Sequence, residues 1–189
     1  MAAGLQLKNQ LTSKEDSERQ RLKQQWLLLP EDIRSAVKIN TLSSLGTENN
    51  GPSASSQCVA YIAAIELPHM LWPDLINLLT TTATRPDATA EVKAANLEAI
   101  GYICQEVNAD LLVGQSNQIL TAIVNNMRKE ETNINLKYTA TNALLNSLEF
   151  TKANFETENE RHYIMQVVCE ATQCPDSRVS LKIFVLFFL

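Results

Sequence analysis

The chain has 189 residues, a formal net charge of −5 at neutral pH and 45% hydrophobic residues. This acidic balance argues against a broad electrostatic surface for nucleic acid or anionic lipid, and the apolar content is enough for a sizeable core. With 5 glycines, 6 prolines and no alternating strand beside its one Asn-Gly pair, Asn50-Gly51, the composition predicts an all-α protein.

The first part of the chain predicts four helices. Helical patterns cover Ala2 to Leu11 and the charged segment SKEDSERQRLKQQW. A third helix begins at Pro30, a residue that suits the first turn of a helix, and stops at Gly46. The loop TENNGPSASS then leads into an apolar helix of small residues, Ala54 to Glu66.

The middle of the chain predicts two further helices. Pro68 and Pro73 open one of them, and its leucines recur at helical spacing: Leu71, Leu75, Leu78 and Leu79. After the loop TRPDAT, the stretch NLEAIGYICQEV predicts a helix with Gly101 at its centre, where glycine costs about 1 kcal/mol relative to alanine.

Three more helices are predicted in the last part of the chain. Ser116 is a candidate N-cap for QILTAIVNNMRKE, in which Arg128 and Lys129 suit a helix C-terminus. Thr157 and Glu160 have the spacing of a capping box ahead of RHYIMQVVCEATQ. The helix between these two has an apolar stripe: Leu136, Ala140, Ala143, Leu144, Ser147 and Leu148.

The helices repeat in pairs. Ala60, Ala99 and Ala143 occupy matching positions in successive second helices, with offsets of 39 and 44 residues. A period of about 40–47 residues with two helices per unit is typical of HEAT and armadillo repeats, whereas tetratricopeptide and ankyrin units are shorter. The second helix of each unit is packed between neighbours, so Gly101 is interpreted as a packing residue that allows close approach.

Residues with catalytic potential are sparse. The sequence contains no phosphate-binding glycine loop, nucleophile elbow or H-E-x-x-H pair, and His69 and His162 have no partner at ligand spacing. We therefore predict that the chain is not an enzyme and uses no metal or cofactor. The cysteines have neither zinc-ligand nor C-x-x-C spacing and are predicted to be buried free thiols in a reducing compartment: Cys58, Cys104, Cys169 and Cys174.

One pattern exceeds what an inward-facing stripe requires. Ile119, Ile123 and Met127 suffice to face the core, yet Leu120, Thr121 and Val124 form a second stripe beside them. In the next unit Glu160, Tyr163 and Ile164 have similar spacing, and Ile164 lies 44 residues after Leu120. Stacked repeats would bring these stripes together, either as a shallow apolar groove edged by Glu160 or as ordinary core between repeats.

Several long segments of the sequence resemble the amino-terminal part of importin-β (karyopherin-β) nuclear import receptors. They include AAGLQLKNQLTSK, LEAIGYICQE, LTAIVNNMRKEE and TATNALLNSLEFTKANF, and the similarity runs from Ala2 to Val179. The resemblance implies a right-handed superhelix of HEAT repeats, with first helices on the convex face and second helices on the concave face. It implies about four helix pairs over residues 1–179, the first incomplete.

The resemblance also implies partners and site residues. Phenylalanine-glycine (FG) nucleoporins would bind a groove between first helices, and Ran-GTP would contact Lys8 and Lys14. Such a receptor works in the cytoplasm, in the nucleus and at nuclear pores, with neither nucleic acid nor membrane as a partner. The groove residues, with Val124 and Tyr163 replacing the isoleucine and phenylalanine of the family, are Leu120, Thr121, Val124, Glu160, Tyr163 and Ile164.

The sequence departs from the family at both ends. Helices that precede AAGLQLKN in the family are absent, which predicts weakened Ran-GTP binding, and the importin-α-binding repeats are absent too. Residues 180–189, with the sequence SLKIFVLFFL, form a hydrophobic tail that diverges from the family. We expect this tail to promote self-association, so its removal should improve the solubility of the chain. The alternative function is a HEAT-repeat scaffold or adaptor unrelated to nuclear transport.

Overall fold

The computed structural model describes residues 2–48 and 52–186, and every regular element in those ranges is helical. The Asn50-Gly51 pair and residues 187–189 lie outside the described residues. The α-helices are α1 (Ala2–Leu11), α2 (Asp16–Leu28), α3 (Glu31–Ser43), α4 (Ala54–Glu66), α5 (Leu75–Thr84), α6 (Ala90–Glu106), α7 (Ser116–Asn125), α8 (Ile134–Ser147), α9 (Lys152–Glu156), α10 (Glu158–Ala171) and α11 (Ser177–Leu186).

The helices stack as two layers. One layer, which we call the B layer, consists of α1, α4, α6, α8 and α11, and each of these helices contacts the next. The other layer, which we call the A layer, consists of α2, α3, α5, α7 and α10. In it α3 packs on α4, α5 on α6, α7 on α8 and α10 on α11, while α2 contacts both α1 and α4. This arrangement confirms the predicted all-α solenoid, in which each helix pair buries its apolar faces against the neighbouring pairs.

The B layer depends on small residues at its centre. Ala60, Ala99 and Ala143 are all fully buried, on α4, α6 and α8 respectively. A Cβ atom placed on Gly101 would lie 3.4 Å from Ala143 Cα, so α6 and α8 approach until only a methyl group would fit between them. Asn146 Nδ2 also donates to the Gly101 carbonyl at 3.2 Å. Gly101 is buried at the contact between α6 and α8, although an alanine would still fit there.

Gly46 ends the α3 region by a different mechanism. Its φ is +82°, in the left-handed region that favours glycine. A Cβ atom there would lie 2.7 Å from Val92 Cα, so the main chains of this turn and of α6 meet without room for a side chain. The predicted stop at Gly46 therefore also brings the turn after α3 into contact with α6.

A buried ionic cluster joins α2, α3 and α4, and the sequence analysis did not predict it. The Glu66 side chain is fully buried and accepts hydrogen bonds from Trp26 Nε1 at 3.0 Å and Arg34 Nη1 at 3.0 Å. Lys38 Nζ lies 2.7 Å from the other carboxylate oxygen and 5.2 Å from the centre of the Trp72 ring. Since one carboxylate satisfies three donors, Glu66 anchors the first A-layer helices to the B layer.

Two predicted helix ends are wrong in detail. Ser116 is the first residue of α7 and not its N-cap, and the helix ends at Asn125, before Arg128 and Lys129. α7 ends early because of Asn126. The buried side-chain amide of this residue donates hydrogen bonds to the carbonyls of Ala122 at 2.8 Å and Ala83 at 3.1 Å. This amide satisfies the last turn of α7 and ties it to the end of α5.

The predicted capping box at α10 is also wrong, although the helix begins where expected. Thr157 occupies the N-cap position without a side-chain capping bond, and its hydroxyl donates instead to the Ala153 carbonyl at 3.5 Å. Glu160 accepts from Asn154 Nδ2 at 2.7 Å. The short helix α9, absent from the sequence analysis, brings Asn154 within reach and diverts the Glu160 carboxylate from the cap.

The end of the described chain forms a helix that covers α8 and α10. α11 contacts both α10 and α8, and Cys169 on α10 is exposed. Val179 and Ile183 of α11 are fully buried, and Arg178 lies 5.3 Å from the Tyr138 ring of α8. Leu181 remains exposed on the opposite side.

Only one side of α11 is exposed to solvent, so only that side should promote self-association. Leu181→Lys removes an apolar group from the exposed face, so it should reduce self-association and leave the unfolding midpoint unchanged. Ile183→Lys, the matched control, puts a charge into a fully buried position and should destabilise the chain. Sedimentation and thermal unfolding measure both effects. Equal self-association of Leu181→Lys and the unmodified chain would contradict this assignment of the exposed face.

Candidate peptide-binding groove

The A layer carries a cleft of about 240 Å³ between α7 and α10. The structure brings all six of the predicted groove residues to this one place, and it adds two asparagines that the sequence analysis missed. The lining residues are Asn117, Leu120, Thr121, Val124, Asn154, Glu160, Tyr163 and Ile164.

The floor of the cleft is apolar. Leu120 and Val124 lie one turn apart on α7, and Ile164 faces them from α10. All three side chains are at least 96% buried by their neighbours, yet they still line the cleft. The floor therefore rests on the hydrophobic core. The same three residues pack between the repeats and also line the cleft, so each of the two alternatives is partly correct.

The rim of the cleft is more exposed. Tyr163 leaves 43% of its surface accessible to solvent. Thr121 is also exposed, and its hydroxyl donates to the Asn117 carbonyl within α7 at 2.7 Å. The Thr121 hydroxyl is therefore satisfied inside the helix and does not need a ligand.

One edge of the cleft is polar. Asn154 is buried, and its Nδ2 donates to Asn117 Oδ1 on α7 and, at 2.7 Å, to Glu160 Oε2 on α10. Asn117 lies three residues before Leu120, so helical spacing could have placed it on the same face. No periodic signal marks Asn154, because it belongs to a five-residue helix between two longer ones.

A larger and more polar cleft of about 560 Å³ lies along α6 and α8. Its wall includes Glu98, which accepts from the Ser53 backbone N–H at 3.3 Å and from the Tyr102 hydroxyl at 3.2 Å. Burial raises the pKa of Glu98, with a smaller contribution from the nearby Glu48 carboxylate. Burial and the Glu98 charge raise the pKa of Tyr102 to about 12, so this hydroxyl remains a donor near neutral pH.

The two lysines predicted to contact Ran lie at the first B-layer helix. Lys8 is half-buried on α1, and Lys14 is exposed in the turn that follows. Neither forms an ion pair with a residue of the described ranges. The cleft lies between α7 and α10, so the two candidate surfaces are on different helices.

The cysteines are free, and their environments differ. Cys58 is buried, and burial raises the pKa of its thiol to about 11, whereas Cys169 is exposed, which corrects the expectation that the cysteines lie in the core. Among residues 2–48 and 52–186, no group of histidine, cysteine or acidic side chains could hold a metal ion. In the same ranges, no helix is long and apolar enough to cross a membrane.

No protein-family model matches the chain. Importin subunit beta-1 of Schizosaccharomyces pombe is 44% identical over 185 residues, which is 97% of this chain. The corresponding protein of Arabidopsis thaliana is 41% identical over 96% of the chain. The chain is therefore homologous to importin-β along almost its whole length. It spans 21% of the length of the S. pombe importin-β.

Solved importin-β structures agree with the fold. Yeast importin-β (Kap95p) matches with a TM-score of 0.87 at 39% identity, over 96% of this chain and 22% of that one. Importin-β crystallised in an ammonium sulfate condition matches with a TM-score of 0.86 at 42% identity, over 97% and 22% of the respective chains. Another match, with a TM-score of 0.81 at 38% identity, over 96% and 22%, is a structure of the Kap95:Nup1 complex.

Proposed function

We propose that this chain is a binding module of a nuclear import receptor, and that the cleft between α7 and α10 accepts a phenylalanine side chain from FG-repeat nucleoporins. The observation that carries the proposal is the cleft in the A layer, where Leu120, Val124 and Ile164 form an apolar floor beside an exposed rim. The existence of a structure of importin-β bound to Nup1 supports the choice of partner.

The cleft has the size and chemistry for one aromatic ring. A ring on this floor would gain about 1.5–3 kcal/mol from burial, before the cost of ordering the peptide. A single site of this kind gives weak binding, so measurable affinity requires either high peptide concentration or several linked repeats. We propose no catalytic step, metal, cofactor, nucleic acid or membrane for this function, which would operate in the cytoplasm, in the nucleus and at nuclear pores.

Calorimetric titration with a synthetic FxFG-repeat peptide tests the proposal. The same peptide with both phenylalanines replaced by serine is the control. We expect binding of the first peptide and none of the second. A HEAT-repeat scaffold unrelated to transport, which is the alternative function, would bind neither, and equal binding of both peptides would also contradict the proposal.

We further propose that Ran-GTP contacts the start of the B layer, at Lys8 and Lys14. Support comes from the charge and accessibility of these lysines and from a solved structure in which Kap95p binds RanGDP and induces its switch loops to adopt the GTP-bound conformation. That structure matches this chain with a TM-score of 0.87 at 40% identity. The match covers 21% of the length of that chain, and the proposal concerns only Lys8 and Lys14.

The double charge reversal Lys8→Glu with Lys14→Glu should weaken Ran-GTP binding at least fivefold at low salt. The effect should shrink as salt is raised, because exposed charges are screened. Lys129→Glu, at an exposed position beyond α7, is the matched control and should bind Ran-GTP like the unmodified chain. Surface plasmon resonance at two salt concentrations measures this. Unchanged affinity for the double variant would remove Lys8 and Lys14 from the Ran surface.

A further inference from the structure

The polar edge of the cleft is built around a single buried amide. Asn154 on α9 donates from Nδ2 to Asn117 Oδ1 on α7 and to Glu160 Oε2 on α10. These two hydrogen bonds, which we call the Asn154 bridge, connect the two helices that form the walls of the cleft. Asn154 is also the only side chain of the described residues that donates to the Glu160 carboxylate.

The Asn154 bridge is a poor device for stabilising the fold alone. Asn154 is 95% buried, and its Oδ1 has no hydrogen-bond partner among the described residues. An unsatisfied buried acceptor carries a desolvation penalty that offsets the gain from its neighbouring hydrogen bonds. A leucine of similar size would avoid the penalty and pack against the same neighbours. The position of the two hydrogen bonds, at the edge of a cleft, points to a role in the cleft.

We propose that Asn154 is a positioning residue for peptide binding, and that it acts through Glu160. The bridge fixes the Glu160 carboxylate at the cleft edge, where this carboxylate accepts a backbone N–H of an extended peptide whose phenylalanine occupies the floor. The second hydrogen bond, to Asn117, holds α7 and α10 at the separation that admits the ring. This inference rests on the proposed nucleoporin function, and it assigns recognition of the peptide main chain to the bridge.

A double-mutant cycle tests the inference with the FxFG-repeat peptide. Asn154→Leu and Glu160→Ala are each expected to weaken binding five- to tenfold. The peptide affinity of the double variant should be at most twofold lower than that of whichever single variant binds less tightly. The reason is that Asn154 has no role in binding once the Glu160 carboxylate is gone. The unfolding midpoint of Asn154→Leu should stay close to that of the unmodified chain, which a purely structural role would not allow.

Asn117→Ala provides a second variant at an exposed position, in case Asn154→Leu does not fold. It should weaken binding two- to threefold when Glu160 is present and have no effect in the Glu160→Ala background. Unchanged binding by the bridge variants, or losses that multiply in the double variants, would overturn the inference.

The failure of this inference can be told apart from the failure of the proposed function. If the unmodified chain binds the peptide, Val124→Asp abolishes binding and the bridge variants bind normally, only the positioning role falls. If the unmodified chain does not bind the peptide at all, the proposed function and the inference fail together.

Discussion

Glu66→Ala should destabilise the chain by about 3 kcal/mol or more, because it leaves two cations without their counter-charge in the protein interior. The side chains of Arg34 and Lys38 are only 12% and 13% exposed, so water cannot fully replace the carboxylate. Trp26 Nε1 would lose its acceptor as well. For a chain of this size, a loss of 3 kcal/mol lowers the unfolding midpoint by roughly 6–12 °C.

Thermal and urea unfolding measure this effect, and an exposed ion pair supplies the control. Asp87 pairs with Arg85 while both side chains remain more than half exposed, so Asp87→Ala should leave the stability nearly unchanged. A loss at Glu66 no larger than the loss at Asp87 would show that the buried cluster does not anchor α2 and α3.

Val124→Asp should abolish binding of an FxFG-repeat peptide; because Val124 is only 2% exposed, the charge should also lower the unfolding midpoint while the chain stays helical. The substitution puts a carboxylate on the floor of the cleft, where a ring would otherwise be buried, and close to the Glu160 carboxylate. Loss of the burial term alone corresponds to roughly a 10- to 100-fold weaker interaction. Calorimetry measures the affinity, and circular dichroism reports the helix content.

Two other variants separate a loss of binding from a loss of folding, because Val124 is itself buried. Leu78→Asp places the same charge on an exposed A-layer leucine outside the cleft and should bind the peptide normally. Tyr163→Ala removes an exposed ring from the cleft rim, so it should weaken binding without affecting folding. Normal peptide affinity in both Val124→Asp and Tyr163→Ala would exclude this cleft as the nucleoporin site.

The sequence predicted most of the fold because its signals are local and periodic. Helical spacing of apolar residues located the long helices, and the recurrence of Ala60, Ala99 and Ala143 gave the repeat and its second layer. The six cleft residues were predicted from two signals together: α7 carried one more apolar stripe than its core contact required, and the resemblance to importin-β assigned that stripe and its counterpart on α10 to a groove. Stacking with a known period then decides which stripes become neighbours.

The features that were missed depend on contacts between distant residues or on competition between hydrogen bonds. Glu66 lies 40 residues from Trp26 and 28 from Lys38, and no spacing rule links them. Asn126 and Asn154 change helix ends through side-chain amides whose partners only the packed structure supplies. The hydrophobic composition of residues 177–186 did not reveal that Val179 and Ile183 would point inward from one helix while Leu181 stayed exposed.

The most direct test of the central claim is a methyl NMR titration of the chain with the FxFG-repeat peptide. Leucine, valine and isoleucine methyl groups would be labelled, so that both layers of the solenoid report. We expect the methyl resonances of Leu120, Val124 and Ile164 to shift progressively with the peptide and not with its serine-substituted control. Shifts confined to methyl groups of the B layer, such as those of Val59 and Leu97, would contradict the central claim.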